Sequence, residues 1–171
     1  MTFFRKCTES DLPQIARLSR EWAEEGVTFA YPAAGEEKLA KYLGDYFWVA
    51  MSEESGGGNG EESGKESEKG PGKGSGNESG KVIGYTYGAV KTSQYVVFPP
   101  GEQYLEIYEV YVHPEYRSGG AGSGLVERIV AEAESHGIRH ALVASSNLDW
   151  RRTAEFYGRL GFKMWYVQMY R

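Results

Sequence analysis

A chain of 171 residues, 40% hydrophobic and 14% aromatic, falls within the ~100–200 residues of one ordinary domain and can bury a sizeable core. It has no apolar run near the ~18 residues of a membrane-spanning helix, its N-terminal MTFFRKCTESD lacks a secretory apolar stretch, and its single cysteine, Cys7, excludes an intrachain disulfide framework; a cytoplasmic protein with no membrane partner is expected. The net charge of −5 is concentrated in residues 53–80, with seven Glu and three Lys, and the other 16 basic and 17 acidic residues nearly cancel without a long basic run, which argues against a nucleic-acid partner.

Thr2–Lys6 alternates weakly and reads as a first strand. Thr8-Glu9-Ser10-Asp11 then starts a helix: Thr8 or Ser10 can cap it, and Asp11 and Pro13 suit its first turn. Leu12, Ile15, Ala16, Leu18 and Trp22 give that helix an apolar face to about Glu25, and Gly26 stops it. A loop over Val27–Gly35, a short helix over Glu36–Leu43 and a strand over Tyr46–Met51 follow. Residues 53–80 contain nothing apolar, and such a segment cannot offset about 1–2 kcal/mol of backbone entropy per residue. They read as a flexible insertion in a hairpin of a single domain spanning 1–171, or else as a partner-binding segment.

Lys81–Val90 resumes as the second strand of that hairpin, and Tyr104–Val112, rich in aromatic and β-branched residues, is the next strand. Ser123–Ser135 carries the stripe of an amphipathic helix that Gly137 ends; His140–Ser145 is a short apolar strand, Asn147–Leu160 a helix, and Phe162–Tyr170 a final strand. The expected fold class is α/β (α+β), with a mixed, mostly antiparallel central sheet flanked by about four helices.

The turn between the 104–112 strand and the 123–135 helix, HPEYRSGGAG, has the chemistry of an anion site. The first N–H groups of a helix lack intrahelical partners and carry the positive end of its dipole. Glycines let a phosphate approach the backbone, and Arg117 adds a permanent cation at the mouth. A plain strand-to-helix turn is the alternative. In the strand itself, strict alternation puts Leu105, Ile107, Glu109 and Tyr111 on one face and Glu106, Tyr108, Val110 and Val112 on the other. Glu109 then sits among apolar neighbours, where burial raises a carboxyl pKa toward that of a general base, and it ranks ahead of Glu106. Phe29, Tyr31, Tyr85, Tyr87 and Tyr108 either line a ligand cleft or belong to the core, and Cys7 reads as a packing residue rather than a nucleophile. No His, Cys or carboxylate spacing suggests a metal.

Two stretches together carry a family resemblance. YVHPEYRSGGAG, with Arg117-x-x-Gly120-x-Gly122, resembles the acyl-CoA pyrophosphate motif of the GNAT superfamily of N-acetyltransferases, and AEFYGRLGF at 154–162 is similar to that family's A-x-x-F-Y-x-x-x-G-F signature, with Ala154 one residue nearer the Phe-Tyr pair. The resemblance implies a GNAT-like fold over nearly the whole chain except 53–80, and acetyl-CoA as co-substrate with no metal. It implies that the pantetheine arm lies along Val110, Tyr111 and Val112, bonded by the main chain of Val110 and Val112. The N–H groups of Ser118, Gly119, Gly120, Ala121, Gly122 and Ser123 would hold the pyrophosphate, with Arg117 at the start of the loop. It implies that Tyr157 protonates the departing thiolate, although a Tyr on an amphipathic helix also suits the core, and that Glu106 matches the catalytic Glu of the histone-acetylating branch. The family's Asn three residues before the Ala is here Arg151, which leaves Asn147 as a cofactor contact from its strand end; the family's R-G-x-G-x-G is shifted to RSGGAG, and Ala121 lightens the packing.

The resemblance implies acetyl transfer to a primary amine of a small molecule by direct attack on the thioester, with a homodimer as the common assembly. A peptide or protein amine, or a non-catalytic acyl-CoA sensor, are the alternatives. A nucleotide-binding protein is disfavoured, because neither a Gly-x-x-x-x-Gly-Lys-Ser/Thr run nor a full Rossmann fingerprint is present. Acceptor specificity falls to roughly Trp22–Tyr42, and Glu21, Glu24 and Glu25 at its start permit a cationic amine.

Overall fold

The computed structural model of the protein describes residues 1–53, 80–94, 97–167 and 169. Among these, β1 (Thr2–Lys6) leads through a short turn into α1 (Leu12–Glu25) and α2 (Glu36–Ala40). Then come β2 (Phe47–Glu53), β3 (Gly80–Thr92), β4 (Gln103–Val112), α3 (Ala121–Ser135), β5 (His140–Val143) and α4 (Trp150–Arg159). The strands lie side by side in sequence order; β1 to β4 are antiparallel, and β5 joins β4 in parallel. A parallel neighbour needs a crossover, and α3 supplies it. The hairpin of β2 and β3 closes at the pair Glu53↔Gly80; the insertion expected between them lies, over 54–79, outside the described residues.

Local chemistry fixes the first helix. Both the N–H and the Oγ1 of Thr8 donate to Asp11 Oδ2 at 2.8 Å, and the Arg5 guanidinium forks onto the same carboxylate at 2.6 and 2.8 Å. Burial would raise the Asp11 pKa, but these bonds outweigh it and hold the carboxyl below its usual value. Gly26 ends α1 in the left-handed region, at φ 64°.

The sheet is sandwiched between two helical layers. On one face Leu12, Ile15 and Leu18 of α1 and Leu39 of α2 pack on Phe47, Val49, Met51, Val82 and the rings of Tyr85, Tyr87 and Tyr111. On the other, Val126, Ile129 and Ala133 of α3 cover Leu105 and Ile107, while Ala121 and Leu125 cover Ala50, Ile83 and Val112. The approach of α3 to β1 depends on Gly124, where an added Cβ would lie 2.3 Å from the Phe4 ring.

Several expected boundaries move. The second helix ends at Ala40, α3 begins two residues early at Ala121, and α4 begins only at Trp150, with Asp149 Oδ1 accepting the Arg152 N–H as its cap. The final strand over Phe162–Tyr170 is not present in its described part: Phe162–Val167 joins no ladder. Gly161, at φ 85°, turns the chain, and the Phe162 N–H bonds back to Tyr157 O. Met164, Trp165, Tyr166 and Val167 are exposed, so their β-propensity, which depends on burial against a neighbour, has nothing to pack on.

Candidate active site

The centre of the site is a bulge in β4. Tyr87 pairs with Glu109, yet Gly88 pairs with Ile107, so Tyr108 is an extra residue with no partner of its own. The bulge corrects the strict alternation read from sequence. Leu105 and Ile107 pack under α3, Val110 and Val112 do so as well, and Tyr108 and Tyr111 belong to the α1 side. Glu106, between two α3-facing residues, and Glu109, bonded to two tyrosines of the α1 side, therefore share that side. Gly88 makes room for the bulge, since a Cβ there would fall 2.3 Å from Glu106 O.

The same strand has a free edge. β5 pairs only with Tyr104–Ile107 and ends at Val143. Beyond Ile107 the side of β4 away from β3 has no strand among the described residues. The His113 N–H goes to Ile83 O on β3, so by alternation the main-chain groups of Val112 and Val110 point into the opening. The Val112 carbonyl is already taken by Arg117 Nε at 2.8 Å.

Glu109 is 6% exposed and holds a polar cluster rather than lying among apolar neighbours. It accepts from Tyr31 Oη at 2.8 Å and Tyr85 Oη at 2.9 Å, and Lys38 Nζ stands 3.5 Å away. Ser19 Oγ, fully buried on α1, positions Tyr31 through a 2.8 Å hydroxyl contact and accepts the Ala34 N–H. Burial first, and then the Glu109 charge, pushes the phenols of Tyr31, Tyr85 and Tyr87 well above their ordinary pKa, so all three keep their protons. The rings of Tyr42, Tyr87 and Tyr108 contact one another beside this cluster. The Glu106 side chain is half-buried and, among the described residues, makes no hydrogen bond or ion pair, although its charge acts on Lys91. Of the aromatics expected in a cleft, Tyr31, Tyr85, Tyr87 and Tyr108 gather here, whereas Phe29 is exposed.

At the other end of the free edge is the glycine turn. Gly120 precedes α3 in the left-handed region, at φ 84°, and offers no capping side chain to the helix's first N–H groups. Ser118 also has a positive φ, 69°. Added Cβ atoms at Gly119 or Gly120 meet nothing closer than 3.8 Å, so this backbone is open to a ligand that needs N–H donors. Arg117 is not the free cation expected at the mouth. Its guanidinium places Nη2 2.8 Å from both Glu25 oxygens and lies against the Tyr111 ring. Glu25 also accepts Tyr111 Oη at 2.7 Å, so the end of α1 is tied to the turn.

Tyr157 packs on the α3 side with Phe156 and Phe162, and burial pushes its phenol up to about 12. Its hydroxyl makes no hydrogen bond among the described residues. Asn147 is engaged in a turn: its Oδ1 accepts the Asp149 N–H at 2.8 Å, and its backbone bridges Thr28 in the α1–α2 loop. Cys7 is buried, and burial aided by the nearby Asp11 charge pushes its thiol up to about 12, which leaves it un-ionised and unfit as a nucleophile.

Two residues of the Glu109 cluster, Lys38 and Ser19, are not among those expected from the sequence. Nothing in the pattern of α2 marks Lys38 as the residue that reaches Glu109. Ser19 did carry a signal, because it is a polar residue on the apolar stripe of α1, three and four positions from Ala16 and Ile15; a buried hydroxyl there demands partners.

The family model of the acetyltransferase (GNAT) family matches residues 19–162. The chain belongs to the GNAT family of acetyltransferases. Solved GNAT-fold structures align over essentially all of it. A Trypanosoma brucei acetyltransferase shares 20% identity at a TM-score of 0.64, over 100% of this chain and 99% of that one. An aminoglycoside acetyltransferase from an uncultured soil metagenomic sample shares 18% at a TM-score of 0.63, over 99% and 95%. A predicted acetyltransferase from Clostridium acetobutylicum, solved with acetyl-CoA, shares 16% at a TM-score of 0.62, over 99% and 96%. A search of curated proteins finds no match. The chain's five-stranded, mostly antiparallel sheet and four helices among the described residues match the fold of these neighbours.

Proposed function

We propose that the protein transfers the acetyl group of acetyl-CoA to a primary amine of a small cationic molecule. The observation that carries this reading is the run of β4 between two complementary ends. An open N–H-rich turn lies beyond Val112, a buried carboxylate lies beside Val110, and the strand edge between them pairs with no strand among the described residues. A long ligand with a phosphate end and a reactive end suits that arrangement.

When bound, acetyl-CoA supplies the activated acetyl thioester. Backbone N–H groups from Ser118 to Ser123 hold its pyrophosphate, and the Val110 main chain and the Val112 N–H hold the arm, the Val112 carbonyl being occupied by Arg117. Arg117 acts through the loop, fixing it to α1 through Glu25. Glu109 faces the acceptor side, where its carboxylate attracts the amine's ammonium and takes a proton from it, so that the neutral nitrogen can attack; Glu106, on the same side, adds negative charge. Tyr157, at about 12, stays protonated, and a thiol ionises near ~8.5. The phenol therefore serves the departing thiolate chiefly as a hydrogen-bond donor. Tyrosine rings flanking a carboxylate suit a cationic amine, through charge and cation–π attraction. The fold relative named as an aminoglycoside acetyltransferase supports an amine-rich acceptor.

Thiol release from acetyl-CoA, followed over polyamines, amino acids, aminoglycosides and lysine-bearing peptides, tests the reading. Turnover with small amines at useful kcat/KM is expected. Turnover on peptides alone would reassign the acceptor, and binding of acetyl-CoA without turnover on any amine would make the protein an acyl-CoA sensor.

A further inference from the structure

We propose that Lys38 is an acetylation site of the protein's own active centre: with no acceptor bound, the acetyl group of acetyl-CoA passes to Lys38 Nζ. The inference rests on the acetyltransferase reading above and adds a regulated residue to that site. Among the described residues, Lys38 is the one amine held at the buried carboxylate of the acceptor side, with Nζ 3.5 Å from Glu109 Oε1. Glu109 immediately precedes Val110, where the free edge of β4 begins its run toward the anion turn. A thioester whose phosphates sit in that turn and whose arm follows this edge back from Val112 ends beside Glu109. Lys38 projects from a helix of only five residues, and its side chain is 47% exposed, so it can swing between the carboxylate and the opening.

The chemistry balances without a further reagent. Glu109 first takes a proton from the Lys38 ammonium and passes it to solvent. The neutral Nζ then attacks the thioester carbonyl carbon, an N–C bond forms, the C–S bond breaks, and the nitrogen's second proton goes to the departing CoA thiolate. The products are acetyl-lysine and free CoA. Acetylation removes the ammonium beside Glu109, which leaves the carboxylate to Tyr31, Tyr85 and an incoming cationic acceptor. The modification would thus convert a self-occupied site into an open one.

Lys41 provides an internal control. It lies three residues along the chain, pairs only with Glu37, and is 69% exposed, so unassisted chemical acetylation favours it over Lys38. The purified protein is incubated with trideuteroacetyl-CoA and no amine, and the label is located by peptide mass spectrometry. Labelling of Lys38 about a hundredfold faster than Lys41, the lower end of what a positioned base contributes, is the expected result. The rate should be independent of protein concentration, the label should vanish from that peptide in Lys38→Arg, and Glu109→Gln should bring Lys38 down to the Lys41 rate. Should Glu109→Gln not fold, the Lys38-to-Lys41 ratio in the unaltered protein decides. Label that follows exposure, or no label while an added amine is turned over, overturns the inference and leaves the acetyltransferase reading standing. No label together with no binding of acetyl-CoA overturns both.

Discussion

Glu109 and Glu132 sit on opposite sides of the sheet, and each carboxylate receives three donors. Glu132, on α3, takes Lys6 Nζ, Trp48 Nε1 at 2.7 Å and the Tyr46 N–H at 3.2 Å. Those donors come from β1, β2 and the residue before it, and they fasten the outer strands to the crossover helix. Burial would raise the Glu132 pKa, but the Lys6 and Trp48 bonds outweigh it and hold the carboxyl below its usual 4.5. Glu109 takes two phenols from a loop and a strand, and its third partner is a half-exposed lysine on a five-residue helix. The number of partners does not separate a structural carboxylate from a reactive one. What separates them is whether a partner can leave, and whether an open strand edge lies next to it.

The sharpest way to break this contrast is Glu109→Gln. Its kcat should fall about 10²–10⁴-fold, as for loss of a positioned base, with the acetyl-CoA Kd unchanged by calorimetry. A variant that loses stability and keeps its kcat would make Glu109 a second Glu132.

Glu132→Gln should do the reverse. It should cost about 1–3 kcal/mol in urea unfolding, since the Lys6 ammonium loses its counter-charge and one amide oxygen is left for the Trp48 and Tyr46 donors, while kcat per folded molecule stays the same. The pH dependence follows from the sign of the shift. The folded pKa lies below the unfolded 4.5, so the stabilisation is complete above 4.5 and disappears as the pH falls through the folded value. The variant should therefore lose less stability on acidification than the unaltered protein, and an unchanged acid slope would contradict the assigned role.

Tyr157→Phe leaves both carboxylates in place and removes the hydroxyl that has no partner among the described residues. A drop of about 10–100-fold in kcat is expected, the worth of a hydrogen bond to a charged group, with acetyl-CoA affinity intact; an equal rate would return Tyr157 to the core. The smallest effect is expected for Glu25→Gln, which weakens acetyl-CoA binding about two- to fivefold, as for a partly exposed ion pair. Tighter binding instead would mean that Glu25 holds Arg117 back from the phosphates.

Most of the fold was legible because its punctuation is local. Gly26 and Gly137 both take positive φ after the helices they were expected to stop. The apolar stripes of α1 and α3 are the residues that the two cores bury. The faces of β4 were not legible, because the bulge at Tyr108 depends on how closely Gly88 lets Glu106 approach, a contact between strands. Arg117 was legible as a cation at the turn but not as a partner of Glu25, which lies 92 residues away in sequence. The 162–170 segment shows the limit of propensity. Its aromatic residues favour a strand, and whether Phe162–Val167 forms one is decided by what it can pack against.

The claim on which the rest depends is that the free edge of β4 and the turn at Gly120 form one acyl-CoA site. Calorimetric titration with acetyl-CoA, ATP and NAD, on the unaltered protein and on Gly120→Ala, tests it most directly. Gly120 holds φ 84°, so a side chain there strains the turn without touching β4. The expected result is binding of acetyl-CoA in preference to ATP and NAD, weakened in Gly120→Ala; binding of ATP or NAD with none of acetyl-CoA would contradict it.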